Sequence, residues 1–237
     1  MSDERKLGAA LKAVVSEAYE SESHAAAKSA LMNENRRRVF EYLAWHPCST
    51  GAEIARALAV SGPTAAWHLA KLVEAGYAIA APRGRDRRYY AAGMGLADPE
   101  TAALTALADH DASRIFLEAI ATPGLTGTQL ARSLNRESVR RAIRGLVEAN
   151  LLVAVDDGRY RRYYPGGAAS ALEKNAAKRL RDFRKRLLRR IEADGLSPEV
   201  RAAPGDLVEI DVRFGDERAT VRLPATSFLA GRLGRIN

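Results

Sequence analysis

Residues 61–77 read SGPTAAWHLAKLVEAGY, a stretch with the signals of a complete helix. Ser61 is a candidate N-cap, and Pro63 lies early in the first turn, where its missing N–H costs nothing. Gly76 can supply a left-handed C-cap. The apolar positions that recur at helical spacing predict the buried face: Ala65, Leu69, Leu72 and Val73. The stretch therefore predicts one helix that follows a tight turn and ends at Gly76.

Two helices are predicted before this stretch and a β-hairpin after it. NENRRRVFEYLAWH (33–46) has apolar residues at helical spacing and ends before Pro47. Ser49 or Thr50 can cap a second helix, whose expected inward face is Ile54, Ala55 and Leu58. YAIAAP (77–82) and RRYYAA (87–92) indicate two strands around a turn at 83–86. The order helix, helix, tight turn, helix, hairpin is typical of a winged helix-turn-helix.

The same pattern occurs twice in the chain. KLVEAGYAIAAPRGRDRRYYAAG (71–93) aligns without a gap on GLVEANLLVAVDDGRYRRYYPGG (145–167), and 12 of the 23 pairs are identical. Upstream, TGAEIARAL (50–58) aligns on TGTQLARSL (126–134). The offset changes from 76 to 74 residues between these blocks, where a turn can absorb the slip. The chain therefore contains two copies of one unit, called here the first copy (33–93) and the second copy (109–167).

SGPTAAWHLAKLVEAGY resembles the recognition helix of ArsR- and MarR-type winged-helix regulators, which carry a Ser, a Thr three residues on, a His-Leu pair, and then Leu, Glu, Ala and Gly. The tandem arrangement is similar to that of predicted archaeal transcriptional regulators with two winged-helix modules. This resemblance covers about 120 of the 237 residues. It implies that the third helix of each copy lies in the major groove of duplex DNA, while the hairpin touches the backbone or the minor groove.

In the first copy, the resemblance places DNA contacts on the exposed side of the third helix and on the hairpin. The implied residues are Ser61, Thr64, Trp67, His68, Lys71, Arg83, Arg85, Arg87 and Arg88. Sequence specificity is expected from Thr64, His68 and Lys71, and affinity from the hairpin arginines. For Trp67, packing on a neighbouring residue is favoured over contact with a base.

In the second copy, NRESVRRAIRGLVEAN (135–150) supplies a more basic third helix, with Val139, Ile143 and Leu146 as its expected core. The implied DNA contacts are Arg136, Ser138, Arg140, Arg141, Arg144, Arg159 and Arg161. Arg140 and Arg141 are expected to add specificity. Because Asp156 and Asp157 place two acids at the hairpin tip, the first hairpin is expected to bind DNA more strongly than the second.

Composition and charge point to a polyanionic partner. The chain has 37 Lys and Arg against 29 Asp and Glu, a formal charge of +8. No apolar window is long enough to span a membrane, and MSDERKLGAALK (1–12) is not a secretory signal. A cytoplasmic, nucleoid-associated location is therefore expected, with no membrane contact. Cys48 is the single cysteine, whereas metal-sensing ArsR proteins bring paired cysteines, so no metal and no other cofactor is expected. The four histidines are scattered and no catalytic motif is present, so no enzyme is expected.

The fold class predicted from these patterns is mainly α-helical with small β-wings (α+β). The expected units are an N-terminal helical arm (1–32), the first winged helix-turn-helix (33–93), a linker (94–108), the second winged helix-turn-helix (109–167), a long basic helix (168–196) and a C-terminal β-hairpin module (197–237). The arm is a candidate for subunit pairing. The long helix carries an apolar stripe that suits either a dimer contact or packing on the two copies, and the dimer contact is favoured. The stripe comprises Leu172, Ala176, Leu180, Phe183, Leu187 and Ile191.

These features predict a homodimeric, sequence-specific transcriptional regulator that binds double-stranded DNA through two winged-helix modules. One alternative is a chromatin-like protein that coats DNA with little sequence preference. A second alternative is a protein–protein assembly module, because winged-helix units also serve in that role.

Overall fold

The structure, a computed structural model, describes residues 30–83, 86–137, 139–174, 176–225, 227 and 233. Within these residues the fold is mixed α/β, with nine helices and three small antiparallel sheets. Helices predominate, as the sequence predicts. The predicted N-terminal arm lies outside the described residues except for its last three positions, of which Ala30 and Leu31 are buried.

The first copy forms three helices and a two-stranded hairpin. Its elements are α1 (Glu34–Trp45), α2 (Gly51–Leu58), α3 (Gly62–Glu74), β1 (Ala78–Arg83) and β2 (Asp86–Ala91). The cap of α2 is Thr50 rather than Ser49. The Thr50 hydroxyl accepts the Glu53 N–H at 3.2 Å, and the Glu53 carboxylate accepts the Thr50 N–H at 2.8 Å. This reciprocal pair satisfies two N–H groups that the first turn of a helix leaves without backbone partners.

A short helix, α4 (Asp98–Ala106), precedes the second copy, whose elements follow the same order as in the first. These elements are α5 (His110–Ala121), β3 (Leu125–Thr126), α6 (Gly127–Ser133), α7 (Arg140–Glu148), β4 (Leu152–Asp157) and β5 (Tyr160–Pro165). Thr126 and Gln129 repeat the reciprocal cap 76 residues after Thr50 and Glu53. The two-residue strand β3 pairs with β5, and an isolated bridge between Ser49 and Tyr89 takes its place in the first copy.

The C-terminal region contains one strand more than the sequence predicts. Its elements are α8 (Gly167–Lys174), α9 (Ala176–Ala193), β6 (Ser197–Ala202), β7 (Leu207–Phe214) and β8 (Glu217–Pro224). The predicted hairpin is confirmed, with Phe214 opposite Glu217 around its turn. The prediction of a lone hairpin is wrong, because β6 adds to β7 and makes a three-stranded sheet. Pro198 indicates only a helix stop in the sequence, but an edge strand such as β6 tolerates proline.

The apolar stripe of the long helix is buried inside the chain. Leu180, Phe183, Leu187 and Ile191 are 0–3% exposed and share one core with α1, α3 and the inner face of the C-terminal sheet. The favoured dimer contact through this stripe is therefore wrong. The sequence shows that α9 has one apolar face, but it does not show that the sheet and α1 together form a surface that covers this face.

A second core surrounds the helices of the second copy. Leu104 of α4, Phe116 of α5 and Leu146 of α7 are fully buried in it. Cys48, which belongs to the first copy, is also fully buried in this second core. The two cores are therefore in contact through residues near the turn between α1 and α2.

Polar contacts hold α9 to the first copy and to α4. The hydroxyl of buried Tyr77 donates to Asp194 at 2.8 Å, and Arg190 pairs with the same carboxylate at 3.1 Å. Burial, and then the bond to Asp194, raise the pKa of Tyr77 well above its usual range. Arg186 donates to the carbonyl of Gly93 at 2.7 Å. Arg179 forms an ion pair with Glu100 of α4, whose side chain is nearly buried. These contacts fix which side of α9 faces the protein.

Ala59 offers a direct test of the backbone at the end of α2. It caps the helix in the left-handed region (φ 54°, ψ 41°), where an L side chain costs about 1 to 2 kcal/mol. Ala59→Gly should raise the free energy of unfolding by about 0.5 to 1 kcal/mol, because glycine removes that strain at a smaller entropic cost. Chemical denaturation measures the change.

Ala57→Gly is the matched control, because Ala57 is also exposed but lies within α2. Glycine inside a helix should lower the free energy of unfolding by about 1 kcal/mol. Equal destabilisation by both variants would show that residue 59 is not held in the left-handed region.

Candidate nucleic-acid interface

The start of α3 presents hydroxyl groups to solvent. Ser61 is the N-cap, as predicted: its hydroxyl oxygen accepts the Thr64 N–H at 3.1 Å and lies 2.6 Å from the Thr64 hydroxyl oxygen. Ser61, Thr64 and Ala66 are exposed. Trp67 is also exposed, at 53%, and touches the His68 ring edge-on with 4.9 Å between ring centroids. The first turn of α3 can therefore reach a partner without rearrangement.

The face of α3 predicted to lie in the groove needs one correction. His68 is only 5% exposed and lies in the buried face of the helix, so its predicted position towards the groove is wrong. Val73, predicted to be in the core, is 37% exposed. Because the helix packs along Ala65, Leu69 and Leu72, position 68 falls on the inner side and position 73 on the outer side. Hydrophobicity alone assigns these two residues the other way round.

His68 makes folding stability dependent on pH. Its pKa is lowered from 6.5, first by burial and then by the charge of Arg36, and its Nδ1 is buried without a hydrogen-bond partner. The unfolded chain therefore binds a proton at His68 more readily than the folded chain does. The contribution of His68 to stability is complete above pH 6.5 and is lost as the pH falls from there to the lower folded-state pKa. The slope from this residue is at most about 1.4 kcal/mol per pH unit.

His68→Met should flatten the pH dependence of the urea midpoint between pH 7 and pH 5 relative to the parent protein. Glu41 has a raised pKa because of its burial, and its contribution has the opposite sign. Since Glu41 is present in both proteins, its effect cancels in the comparison. Identical pH profiles would show that His68 titrates as it does in the unfolded chain.

The charge on the outer face of α3 is small. Lys71 is half-buried, and its ammonium pairs with the Glu74 carboxylate at 2.9 Å. The other exposed side chains of the helix from Thr64 onward include Ala66, Trp67, Ala70 and Val73. Lys71 can therefore contact DNA only in competition with Glu74.

The first hairpin is described except around its tip. Arg85 lies outside the described residues, and of Arg83 only the backbone is described, as the end of β1. Arg87 is exposed. The Arg88 side chain is only 17% exposed; it lies 3.5 Å from the Glu53 carboxylate and donates to the Cys48 carbonyl at 3.4 Å. Arg88 thus joins the hairpin to α2, and this position argues against its predicted contact with DNA.

The two copies share this anchor. Arg162, which aligns with Arg88, donates to the carbonyl of Gly124 at 3.0 Å. Gly124 aligns with Cys48, and both residues have positive φ (89° and 66°). A left-handed residue before the second helix thus turns its carbonyl towards the hairpin arginine in each copy. In each copy, the second arginine of the Arg-Arg-Tyr-Tyr motif therefore positions the hairpin. The sequence alone does not show that this arginine differs in role from the arginine before it.

The third helix of the second copy is shorter and more basic than α3. The helix α7 has nine residues, whereas α3 has thirteen. The first residue of α7 is Arg140, which lies four positions after the residue that aligns with Gly62, the first residue of α3. Arg140, Arg141 and Arg144 are all exposed. Arg136 pairs with Asp111 at 3.1 Å, and Ser138 lies outside the described residues. The second copy therefore presents cations from the helix itself.

Two acids pair with two arginines on the second hairpin. Arg161 lies 3.2 Å from Asp156, and Arg162 lies 2.6 Å from Asp157. The bond to Asp157 raises the pKa of Arg162 above its usual range. Arg159 lies over the ring of Tyr160, at 5.8 Å from its centroid, and is exposed. Within the part of the chain that the structure describes, Arg159 is therefore the arginine of this hairpin that has no ion pair to break before it meets a phosphate.

A concave cleft of about 700 Å³ opens between α6, α7 and the second hairpin. Its cationic side chains come from both the helix and the hairpin: Arg140, Arg144, Arg159 and Arg161. Thr126 and Thr128 add hydroxyl groups, and Glu137 and Glu148 reduce the net charge. The cleft therefore combines cations with hydrogen-bonding groups, as the recognition of a nucleic-acid backbone requires.

The described residues contain no cluster of three or more His, Cys, Asp or Glu side chains that could hold a metal ion. None of the helices in the described part is long and apolar enough to cross a membrane.

Residues 31–76 match the family model of a helix-turn-helix domain. The match covers α1, α2 and α3 and confirms the helix-turn-helix interpretation of this segment. It covers about a fifth of the chain. No curated protein sequence matches the chain.

Two solved structures are similar to parts of the chain. One is the multiple antibiotic-resistance repressor MarR from Listeria monocytogenes, at 14% identity over 62% of this chain and 99% of that chain, with a TM-score of 0.25. The other is IdeR from T. acidophilum, at 15% identity over 84% of this chain and 95% of that chain, with a TM-score of 0.23. TM-scores of this size do not establish a shared overall fold.

Proposed function

We propose that this chain is a transcriptional regulator that binds specific sequences of double-stranded DNA through two tandem winged-helix modules. The observation that carries the proposal is the match of residues 31–76 to a helix-turn-helix domain, together with the same order of elements in the second copy. The proposed modules are residues 33–93 and 109–167. Each would place its third helix in a major groove, so one chain would span two grooves about one helical turn apart.

The two modules contribute different chemistry in this proposal. The first offers hydroxyls and an exposed aromatic side chain on α3, with its lysine already paired. The second offers three exposed arginines on α7 and the cationic cleft. Arginine can donate two hydrogen bonds to one guanine, so Arg140 and Arg141 are the proposed sources of base specificity. Thr64 is the corresponding residue in the first module.

We also propose a homodimer acting in the cytoplasm at the nucleoid. Because the apolar stripe of α9 is buried within the chain, the remaining predicted dimer contact is the arm at 1–32, whose first 29 residues are not described. The archaeal origin suggested by the tandem resemblance also stays a prediction.

Selection from a random-sequence duplex pool, followed by competition at fixed salt, tests the proposed function. A specific regulator should enrich a defined site and hold it at least about 1,000-fold more tightly than random duplex. A DNA-coating protein would bind all duplexes with similar affinity. A protein-assembly module would bind none of them and would show no steep dependence on salt. Either of the last two outcomes would overturn the proposal.

Charge reversal at the two hairpin tips should show which hairpin binds DNA more strongly. Arg85→Glu should weaken duplex binding more than Arg159→Glu, because Asp156 and Asp157 place two negative charges at the tip of the second hairpin and repel phosphate there. Titration of labelled duplex at several salt concentrations measures both variants. Equal losses of affinity would contradict this ranking and leave the two-module proposal standing.

A further inference from the structure

The outward side of α9 carries four cations in a row. Lys178, Arg181, Lys185 and Arg189, called here the outer stripe, follow one another at spacings of three, four and four residues and are all exposed. At 100° per residue they lie on the side opposite to Leu180, Phe183, Leu187 and Ile191, which are buried. The outer stripe is therefore held on a helix that cannot rotate without exposing its core face.

Other basic residues of α9 are already used inside the protein. Arg179 pairs with Glu100, Arg186 bonds the Gly93 carbonyl, and Arg190 pairs with Asp194. Among the described residues, no carboxylate oxygen lies within 4.0 Å of a charged nitrogen of the outer stripe. Like charges three and four residues apart destabilise a helix. Asp182 and Glu192 lie on the same side of α9, within four residues of stripe cations, and offset part of this cost without forming an ion pair with them.

We propose that the outer stripe binds the phosphate backbone of duplex DNA beside the sites bound by the two copies. This inference rests on the proposed function, because it adds a third contact to the same DNA. The stripe spans eleven residues of rise, about 17 Å, a length over which duplex DNA carries roughly ten phosphate charges. The fit to duplex DNA is therefore one of charge sign and length.

A membrane surface fits this face less well than DNA. A helix that lies on a lipid bilayer inserts an apolar face next to its cations, but the apolar face of α9 is covered by the first core. What remains exposed is a polar and charged surface. Such a surface gives sequence-independent affinity with a strong dependence on salt.

The test is the salt dependence of binding to two duplexes that contain the same selected site. One duplex has about two helical turns and the other about four, so only the longer one has flanking backbone. The test variant is Lys178→Gln/Arg181→Gln/Lys185→Gln/Arg189→Gln in the full chain. On the long duplex, the slope of log K against log salt should fall in magnitude by about 2 to 4, since each lost phosphate contact removes about 0.9. On the short duplex the slope should change by less than about 0.9, the contribution of a single phosphate contact.

The control variant is Arg201→Gln/Arg213→Gln/Arg218→Gln/Arg222→Gln, which removes the same formal charge from the C-terminal sheet. Three of these arginines pair with carboxylates of that sheet, so the slope on the long duplex should stay close to that of the parent. If the fourfold test variant does not fold, Lys178→Gln/Lys185→Gln should give about half the reduction.

An unchanged slope for the test variant, or an equal loss in the control, would overturn the inference while the proposed function stands. If the parent protein binds no duplex, both are overturned. If the test variant lost affinity for single-stranded nucleic acid but not for duplex DNA, that result would also contradict the outer stripe as a surface for duplex DNA.

Discussion

Replacing Phe183 by Ala should lower the free energy of unfolding by about 3 to 5 kcal/mol. Phe183 is fully buried on α9, within the core that also contains residues of α1, α3 and the C-terminal sheet. Truncation removes the whole ring and leaves a cavity between elements that are far apart in the sequence. Urea denaturation at several protein concentrations measures the change, and the midpoint should fall to the same extent at each concentration.

Leu188→Ala is the matched control, because Leu188 lies on the same helix but is only partly buried. It should cost clearly less than Phe183→Ala. If α9 instead formed the contact between two subunits, Phe183→Ala would weaken the dimer, and the loss relative to the parent protein would change with protein concentration. That result would contradict the intrachain core described here.

Arg140→Ala/Arg144→Ala should weaken the binding of a selected duplex about 30-fold or more, since each arginine contact is worth about 1 to 3 kcal/mol. Both arginines are exposed on α7 and line the cleft beside the second hairpin. Because both side chains are exposed, the thermal midpoint of the protein should change little. Fluorescence anisotropy with labelled duplex measures the affinity.

The matching change in the first copy is Thr64→Ala/Lys71→Ala. It should cost less affinity, because Lys71 already pairs with Glu74 and must give up that contact to bind a phosphate. Equal losses from the two double variants would mean that the ion pair at α3 does not limit DNA contact. No loss from Arg140→Ala/Arg144→Ala would remove α7 from the interface.

The local elements could be predicted from the sequence because their signals are local. Ser61 and Gly76 mark the two ends of one helical unit, Gly76 lies in the left-handed region as predicted, and the Gly215-Asp216 turn sets the register of β7 and β8. Thr50 could also have been identified as the cap of α2, because Glu53 stands three residues later and the same pattern recurs at Thr126 and Gln129.

The errors concern choices that depend on the packing partner. His68 and Val73 both lie near the edge of the apolar face of α3, and only the position of the neighbouring helices decides which of them is buried. Arg88 and Arg87 look alike in the sequence, but one meets Glu53 and the other meets solvent. The stripe of α9 predicts that something covers it. It contains no signal that distinguishes a second subunit from the C-terminal sheet.

Hydroxyl-radical footprinting of the selected duplex tests the central claim most directly. If each copy places one helix in a major groove, the protein should protect two backbone windows about one helical turn apart. The Arg140→Ala/Arg144→Ala variant should lose one window, and Thr64→Ala/Lys71→Ala should weaken the other. A single window that both variants affect equally, or uniform protection along the whole duplex, would contradict two separate DNA-binding modules.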